Sequence, residues 1–225
     1  AVIAGAGYIA NEFAGILHSL GVEVSLITRG DRMLRGYDQE IVDRLLAITT
    51  AKGIETRFNF ALQAIHQQAD HSLIVAGNDE QRIEADMVMF AIGRNPKTAG
   101  LGAEQVGVAL DQQGAVIVNQ DNQTNIPSIY AVGDVTNRVQ LTPVAIREGQ
   151  IFADRLFGGI ERMMDYDNIP TAVFSSPPLA SVGLSETEAQ AKYGADNIKV
   201  YRADFRPMKN VLSGRQERGL YKMIT

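Results

Sequence analysis

AVIAGAGYIA, residues 1–10, is the stretch on which the reading of this chain turns. Val2 and Ile3 read as the end of a buried strand that stops at Gly5, after which Ile9, Phe13, Ile16, Leu17 and Leu20 recur at helical spacing until Gly21. Residues 5–10 therefore place G-x-G-x-x-A on a strand-to-helix turn. Gly5 permits the tight turn, Gly7 lets a pyrophosphate approach the backbone, and the small Ala10 lets helix pack on strand. The partly positive helix N-terminus then faces the phosphates. In a chain with 21 glycines the pattern alone is weak; its place between a strand and an amphipathic helix makes a dinucleotide the expected ligand.

Working outward, Val22, Val24 and Leu26 alternate with Glu23 and Ser25 as a second strand. A second helix is expected from Asp38, a suitable N-cap, through Ile41, Val42, Leu45, Leu46 and Ile48 to Gly53. From Gly53 the period becomes extended, over 54–60, 61–68, 72–76 and 82–92, which predicts a β-meander followed by a final apolar strand, 87–92, broken at Gly93-Arg94-Asn95-Pro96. Residues 97–135 are turn-rich, with extended pieces at 115–118 and 129–132. A helix over 142–157 follows, with Pro143 where its missing N–H does no harm. A new pattern starts near 172, with strands at 172–175, 199–205 and 220–224 and a helix at 186–193.

The end of the second strand bears on the choice of dinucleotide. An acid about 20 residues after the turn would hold a ribose 2′-hydroxyl. Here the strand ends Ile27-Thr28-Arg29, with Arg32 and Arg35 beyond it. Guanidinium groups can hold a 2′-phosphate that a carboxylate would repel, so NADP is favoured over NAD. Arg29 and Arg35 are the expected phosphate ligands; Arg32, beside Asp31, reads better as part of a solvated face.

Composition narrows the chemistry. The 225 residues contain no cysteine, hence no disulfide and no thiolate nucleophile or metal ligand, and their three histidines have no metal-binding spacing. No catalytic residue and no metal ligand is therefore expected within this chain. A net charge of −5 disfavours nucleic acid as a partner, and no apolar run approaches the roughly 18 residues of a membrane span. The expected setting is the cytoplasm.

A second motif leads from domain to family. Thr124-Asn-Ile-Pro-Ser-Ile-Tyr-Ala-Val-Gly133-Asp134, followed by Leu141-Thr142-Pro-Val-Ala145, resembles the second flavin motif of the pyridine nucleotide–disulfide oxidoreductases. A carboxylate on a turn, Asp134, can accept hydrogen bonds from a ribityl chain, and a helix opening at Thr142 offers partial positive charge to an electron-rich ring. The resemblance covers the whole chain and implies an α/β architecture. A Rossmann-like NADP-binding domain with a β-meander (1–93) would lead into the C-terminal part of an FAD-binding domain (94–165), then the start of an α+β interface, or dimerisation, domain (166–225).

Within the family the chain is similar to the glutathione-disulfide-reducing branch, through Arg29 and Arg35 and through the segments 174–184 and 205–208. The resemblance makes Tyr8 the residue that covers the nicotinamide pocket and Glu12 the acid that pairs with a lysine beside the flavin. Gly93 and Arg94 would line the nucleotide site; Ile9 belongs to the phosphate turn; Gly133, Asp134, Leu141, Thr142 and Ala145 would meet FAD. It also implies a homodimer that passes hydride from NADPH to flavin, then to an active-site disulfide, then to glutathione disulfide. The N-terminal flavin turn, the cysteine pair and a C-terminal His-Pro segment that this requires are not in these 225 residues. The chain is therefore expected to be the middle of a longer protein, and alone to turn over no disulfide. Mercuric, trypanothione and lipoamide reductases stay open as alternatives, as does a non-catalytic NADP-binding module.

Overall fold

Val2 and Ala4 point to one side of the first strand and Ile3 to the other, and all three are buried, so this strand lies inside a two-faced sheet. The computed structural model describes residues 1–225 and divides into two units, 1–93 with 168–225, and 94–167.

In the first unit, strand β1 (Val2–Ala4) leads into helix α1 (Tyr8–Ser19), strand β2 (Ser25–Ile27), helix α2 (Gln39–Ala51) and strand β3 (Glu55–Arg57). A three-stranded antiparallel meander follows: β4 (Ala64–Gln67), β5 (Leu73–Ala76) and β6 (Arg82–Ala85), before β7 (Val88–Phe90) returns. The main sheet is parallel, in the order β3-β2-β1-β7. Ile3, Leu26, Val24 and Ile54 pack with Ala10 and Ala14 of α1, while Val2, Ala4 and Ile27 pack with Phe60, Val75, Ile83 and Ala85. Residues 168–225 of this unit add the hairpin β8 (Thr171–Val173) and β9 (Leu179–Ser181), helix α4 (Glu186–Tyr193), and a second antiparallel pair. That pair is β10 (Val200–Phe205) and β11 (Gly219–Ile224), with the short helix α5 (Met208–Leu212) before β11.

Three details depart from the periodicity. The segment 54–60 does not open the meander: β3 pairs in parallel with β2, because Ile54 is needed under α1 and Phe60 under the meander. Within the extended run 82–92, residues 82–85 form β6 at the end of the meander, and the expected final apolar strand, 87–92, is the shorter β7 in the parallel sheet. Strand β9 and helix α5, too short for a period to register, went unpredicted.

The second unit, 94–167, holds a 3-10 turn at Gly133–Thr136 and helix α3 (Thr142–Phe157). The extended pieces expected at 115–118 and 129–132 supply only isolated bridges, Leu110 to Val116 and Gln123 to Tyr130. Polar groups do much of the holding here. Asn122 and Glu148 are almost fully buried, and Arg138 donates to Val118 O, Asn119 O, Asn122 Oδ1 and Tyr166 Oη. No helix of the chain is long and apolar enough to cross a membrane.

Candidate functional site: a glycine turn with an arginine loop, and a separate acidic turn

Gly5 ends β1 at φ +145°, a conformation that L side chains rarely adopt, and a Cβ there would lie 2.3 Å from the Ala91 carbonyl oxygen. Its N–H donates to Ile27 O, which ties the turn to the neighbouring strand. Ala10 is fully buried, its Cβ 3.4 Å from where a Cβ on Gly5 would stand. Gly5→Ala should therefore lower stability by about 2 kcal/mol, through φ strain and collision with a backbone oxygen. An unchanged denaturation midpoint would contradict this account of the turn.

Gly7 is the N-cap of α1. No side chain caps the helix, the first turn carries no acid, and nothing lies within 4 Å of a Cβ built on Gly7. The first N–H to reach a helix carbonyl is that of Asn11, on Gly7 O, so the preceding amides have no intrahelical acceptor. Such a helix end is built to receive an anion.

The arginine loop is fastened to this turn. Leu34 N–H donates to Ala6 O at 2.9 Å, and Leu34 and Met33 are buried against α2 and the β8–β9 hairpin. On the loop, Arg32 is engaged locally, donating to Gln39 Oε1 and Arg35 O. Arg35 is exposed, crosses Gly30 so closely that a Cβ there would lie 2.3 Å from its Nη2, and stands 3.4 Å from Asp31. Arg29 is exposed at the strand tip.

Tyr8 packs beside the cluster of Met33, Leu34, Val42 and Leu45. Glu12 accepts a hydrogen bond from the Phe174 backbone N–H (2.8 Å). A depression of about 300 Å³ lies over the same helix, lined by Glu12, Ile16, Leu20 and Phe174 among others, and no residue of the glycine turn lines it. Ile9 is half-buried on the first turn of α1, and Gly93 adopts φ +137° beyond β7.

In the second unit, Gly133 adopts φ +72° and a Cβ on it would lie 2.9 Å from the Ala145 Cβ. Asp134 stands next on the turn, partly exposed, 3.3 Å from Arg94 Nη2. Leu141 is the N-cap of α3 and Thr142 its first residue; this helix start too has no side-chain cap and no acid.

Two residues near these turns escaped sequence reasoning. Asn11 is buried on α1 and donates through Nδ2 to Gly7 O (2.8 Å) and Ala6 O (3.4 Å), which fastens the carbonyls of the glycine turn. Glu148 is 1% exposed and accepts from the Gly133 N–H and the Tyr166 hydroxyl. Burial, then the Glu148 carboxylate, pushes the Tyr166 phenol above its ordinary value, so it serves as a donor. A signal existed: Asn11 lies between Ala10 and Ala14, and Glu148 between Val144 and Ile151, on faces turned inward, where only partnered polar groups are tolerated.

An uncapped βα glycine turn in a parallel sheet is the arrangement found in dinucleotide-binding folds. The family described as pyridine nucleotide-disulphide oxidoreductase matches residues 1–149, and the dimerisation domain of that family matches residues 169–225; the chain belongs to this family. Among curated relatives, it is 47% identical to the glutathione reductase of Burkholderia cepacia, over 99% of this chain and 49% of that protein. It is 45% identical to the chloroplastic/mitochondrial glutathione reductase of Pisum sativum, over 99% and 40%. Among solved structures, the HOCl-induced flavoprotein disulfide reductase RclA from Escherichia coli superposes with a TM-score of 0.90 at 30% identity, over 100% of this chain and 51% of that one. The chain spans about half the length of the curated relatives it matches.

Proposed function

We propose that the protein to which this chain belongs is an NADPH-dependent FAD flavoprotein that reduces glutathione disulfide, acting as a cytoplasmic homodimer. In this reading residues 1–93 bind NADP, 94–165 complete a flavin domain and 166–225 begin the dimer interface. The observation that carries it is the arginine loop joined to the glycine turn through Leu34 N–H and Ala6 O. One hydrogen bond couples the anion-receiving helix end to a segment with three exposed arginines, of which Arg32 is engaged with Gln39 and Arg35 O. A pyrophosphate with a 2′-phosphate nearby answers to that arrangement.

The residues fit both cofactors. The bare helix end at Gly7 accommodates a pyrophosphate, with the amides of Tyr8, Ile9 and Ala10 as donors, and Arg29 and Arg35 hold the 2′-phosphate. Tyr8 covers the nicotinamide pocket, Glu12 stands ready for a cation beside the flavin, and Gly93 and Arg94 line the nucleotide site. The Asp134 carboxylate, on a turn that tolerates no side chain at Gly133, accepts from ribityl hydroxyls, and the uncapped start of α3 at Leu141, Thr142 and Ala145 faces the flavin. When bound, the two cofactors supply hydride and electron transfer towards a disulfide. The part of this chain is to bind and align them.

The test is NADPH oxidation by the purified full-length protein with glutathione disulfide, compared with NADH and with oxidised lipoamide and trypanothione disulfide. Turnover should require NADPH and be fastest with glutathione disulfide. Equal rates with NADH, or preference for another disulfide, would overturn the corresponding half of the proposal.

A further inference from the structure

We infer that Glu148 is a positioning residue for the flavin turn: its buried carboxylate, on α3, fixes the Val132–Gly133 peptide through the Gly133 N–H and so aims Asp134, the next residue on the turn. The inference rests on the reading of Asp134 as a flavin ligand given above.

A carboxyl group 1% exposed is costly unless its oxygens are satisfied by hydrogen bonds. Its partners are the Tyr166 hydroxyl on one oxygen and the Gly133 N–H on the other. Tyr166 Oη in turn accepts from Arg138 Nη1 (3.1 Å), which leaves the tyrosine proton directed at Glu148. Two donors thus converge on Glu148: the Tyr166 hydroxyl, itself accepting from Arg138, and a single backbone amide, that of Gly133.

That amide belongs to the residue before Asp134. The carbonyl of Gly133 is held as well, accepting from Thr136 Oγ1 at 2.9 Å, and Ala145 closes the space where a side chain would stand. Both polar groups of Gly133 are thus fixed by side chains, whereas the Asp134 carboxylate one residue on has only Arg94 beside it, at 3.3 Å. A turn clamped on its inner side and open at its acidic tip is pre-organised to receive hydroxyl donors, since the ordering cost is met before the ligand arrives. A hydrophobic residue at 148 could fill the same volume, but it would leave the Gly133 N–H without a buried acceptor.

The test uses the full-length protein and its E148A, E148Q and Y166F variants. Three quantities are read: the FAD dissociation constant on reconstitution of the apoprotein, the visible flavin spectrum, and NADP affinity. E148A is expected to weaken FAD binding by ~10-fold and to alter the resolution of the flavin bands, because one buried amide loses its acceptor. E148Q keeps an acceptor for the Gly133 N–H and should stay within ~3-fold of wild type, and Y166F should fall between the two. NADP affinity should be unchanged in all three. Wild-type FAD affinity and spectrum in E148A would overturn the inference, as would E148Q as weak as E148A, or a parallel loss of NADP affinity that marks general unfolding. If E148A does not fold, Y166F decides: FAD affinity equal to wild type overturns the inference. A wild-type protein that binds no FAD would overturn the proposed function itself, a result distinct from any variant effect.

Discussion

Arg29→Glu combined with Arg35→Ala is expected to weaken NADPH binding by ~100-fold or more while leaving NADH within ~3-fold, because charge-assisted hydrogen bonds contribute roughly 1.5–3 kcal/mol each. The lower end of that range applies, since both guanidinium groups are exposed. Arg32 serves as the internal control: it is already engaged with Gln39 and Arg35 O, and its replacement should disturb the loop more than the cofactor preference. Alanine is preferred to proline at 35 because Leu34 sits at φ +49°, a left-handed conformation that a following proline would oppose. Added salt should weaken NADPH binding to the wild type and have little effect on the variant. Titration calorimetry with both nucleotides reads the result, and an unchanged ratio of NADPH to NADH affinity would count against the assignment.

The second large effect lies away from both turns. Lys222, on β11 with a side chain only 5% exposed, places Nζ 2.8 Å from Asp38, 2.9 Å from Glu40 and 2.7 Å from Glu186. Arg202 joins the same Glu40 and Glu186. Asp38 is also the N-cap of α2, accepting from the Glu40 N–H, and it accepts from the Glu186 N–H at the start of α4. Lys222→Met leaves three carboxylates facing one another with a single cation. Breaking a buried ion network of this kind costs roughly 3–5 kcal/mol, and the partial exposure of the partners points to the lower figure. For a chain of this size that is a fall in Tm of roughly 6–12 °C. A melting temperature unchanged within a degree or two would show the network to be inert.

The pH dependence of this network follows from its members. Burial alone would lower the Lys222 ammonium, but its hydrogen bonds to Asp38, Glu186 and Glu40 outweigh that and hold it above the ordinary lysine value. Its contribution is complete below ~10.4 and is lost only as pH rises through the raised value. Asp38 is pushed up by burial and pulled down further by the Glu186 N–H and Lys222; Glu40 is lowered chiefly by its hydrogen bond to Lys222. The acidic contributions are therefore present above the ordinary carboxylate range and disappear as pH falls through the depressed values. The stabilisation should be flat from ~pH 5 to ~pH 10, and Lys222→Met should flatten both flanks.

Local chemistry determined much of this protein. The glycine turn, the Asp38 cap and the helices at 142–157 and 186–193 can be read from residues within a few positions of one another, because caps, turns and helical stripes are short-range effects. Tertiary structure decided what depends on distant partners. It moved β3 from the meander to the parallel sheet, since extended sequence does not say which edge it will join. It separated β6 from β7, joined Leu34 to Ala6, and gave Glu12 a backbone partner 162 residues away. Above all it turned Asn11, Glu148 and Lys222 inward. A polar residue in a sequence reads as solvated until the fold supplies the amide, hydroxyl or carboxylate that makes its burial tolerable, and those partners come from other elements.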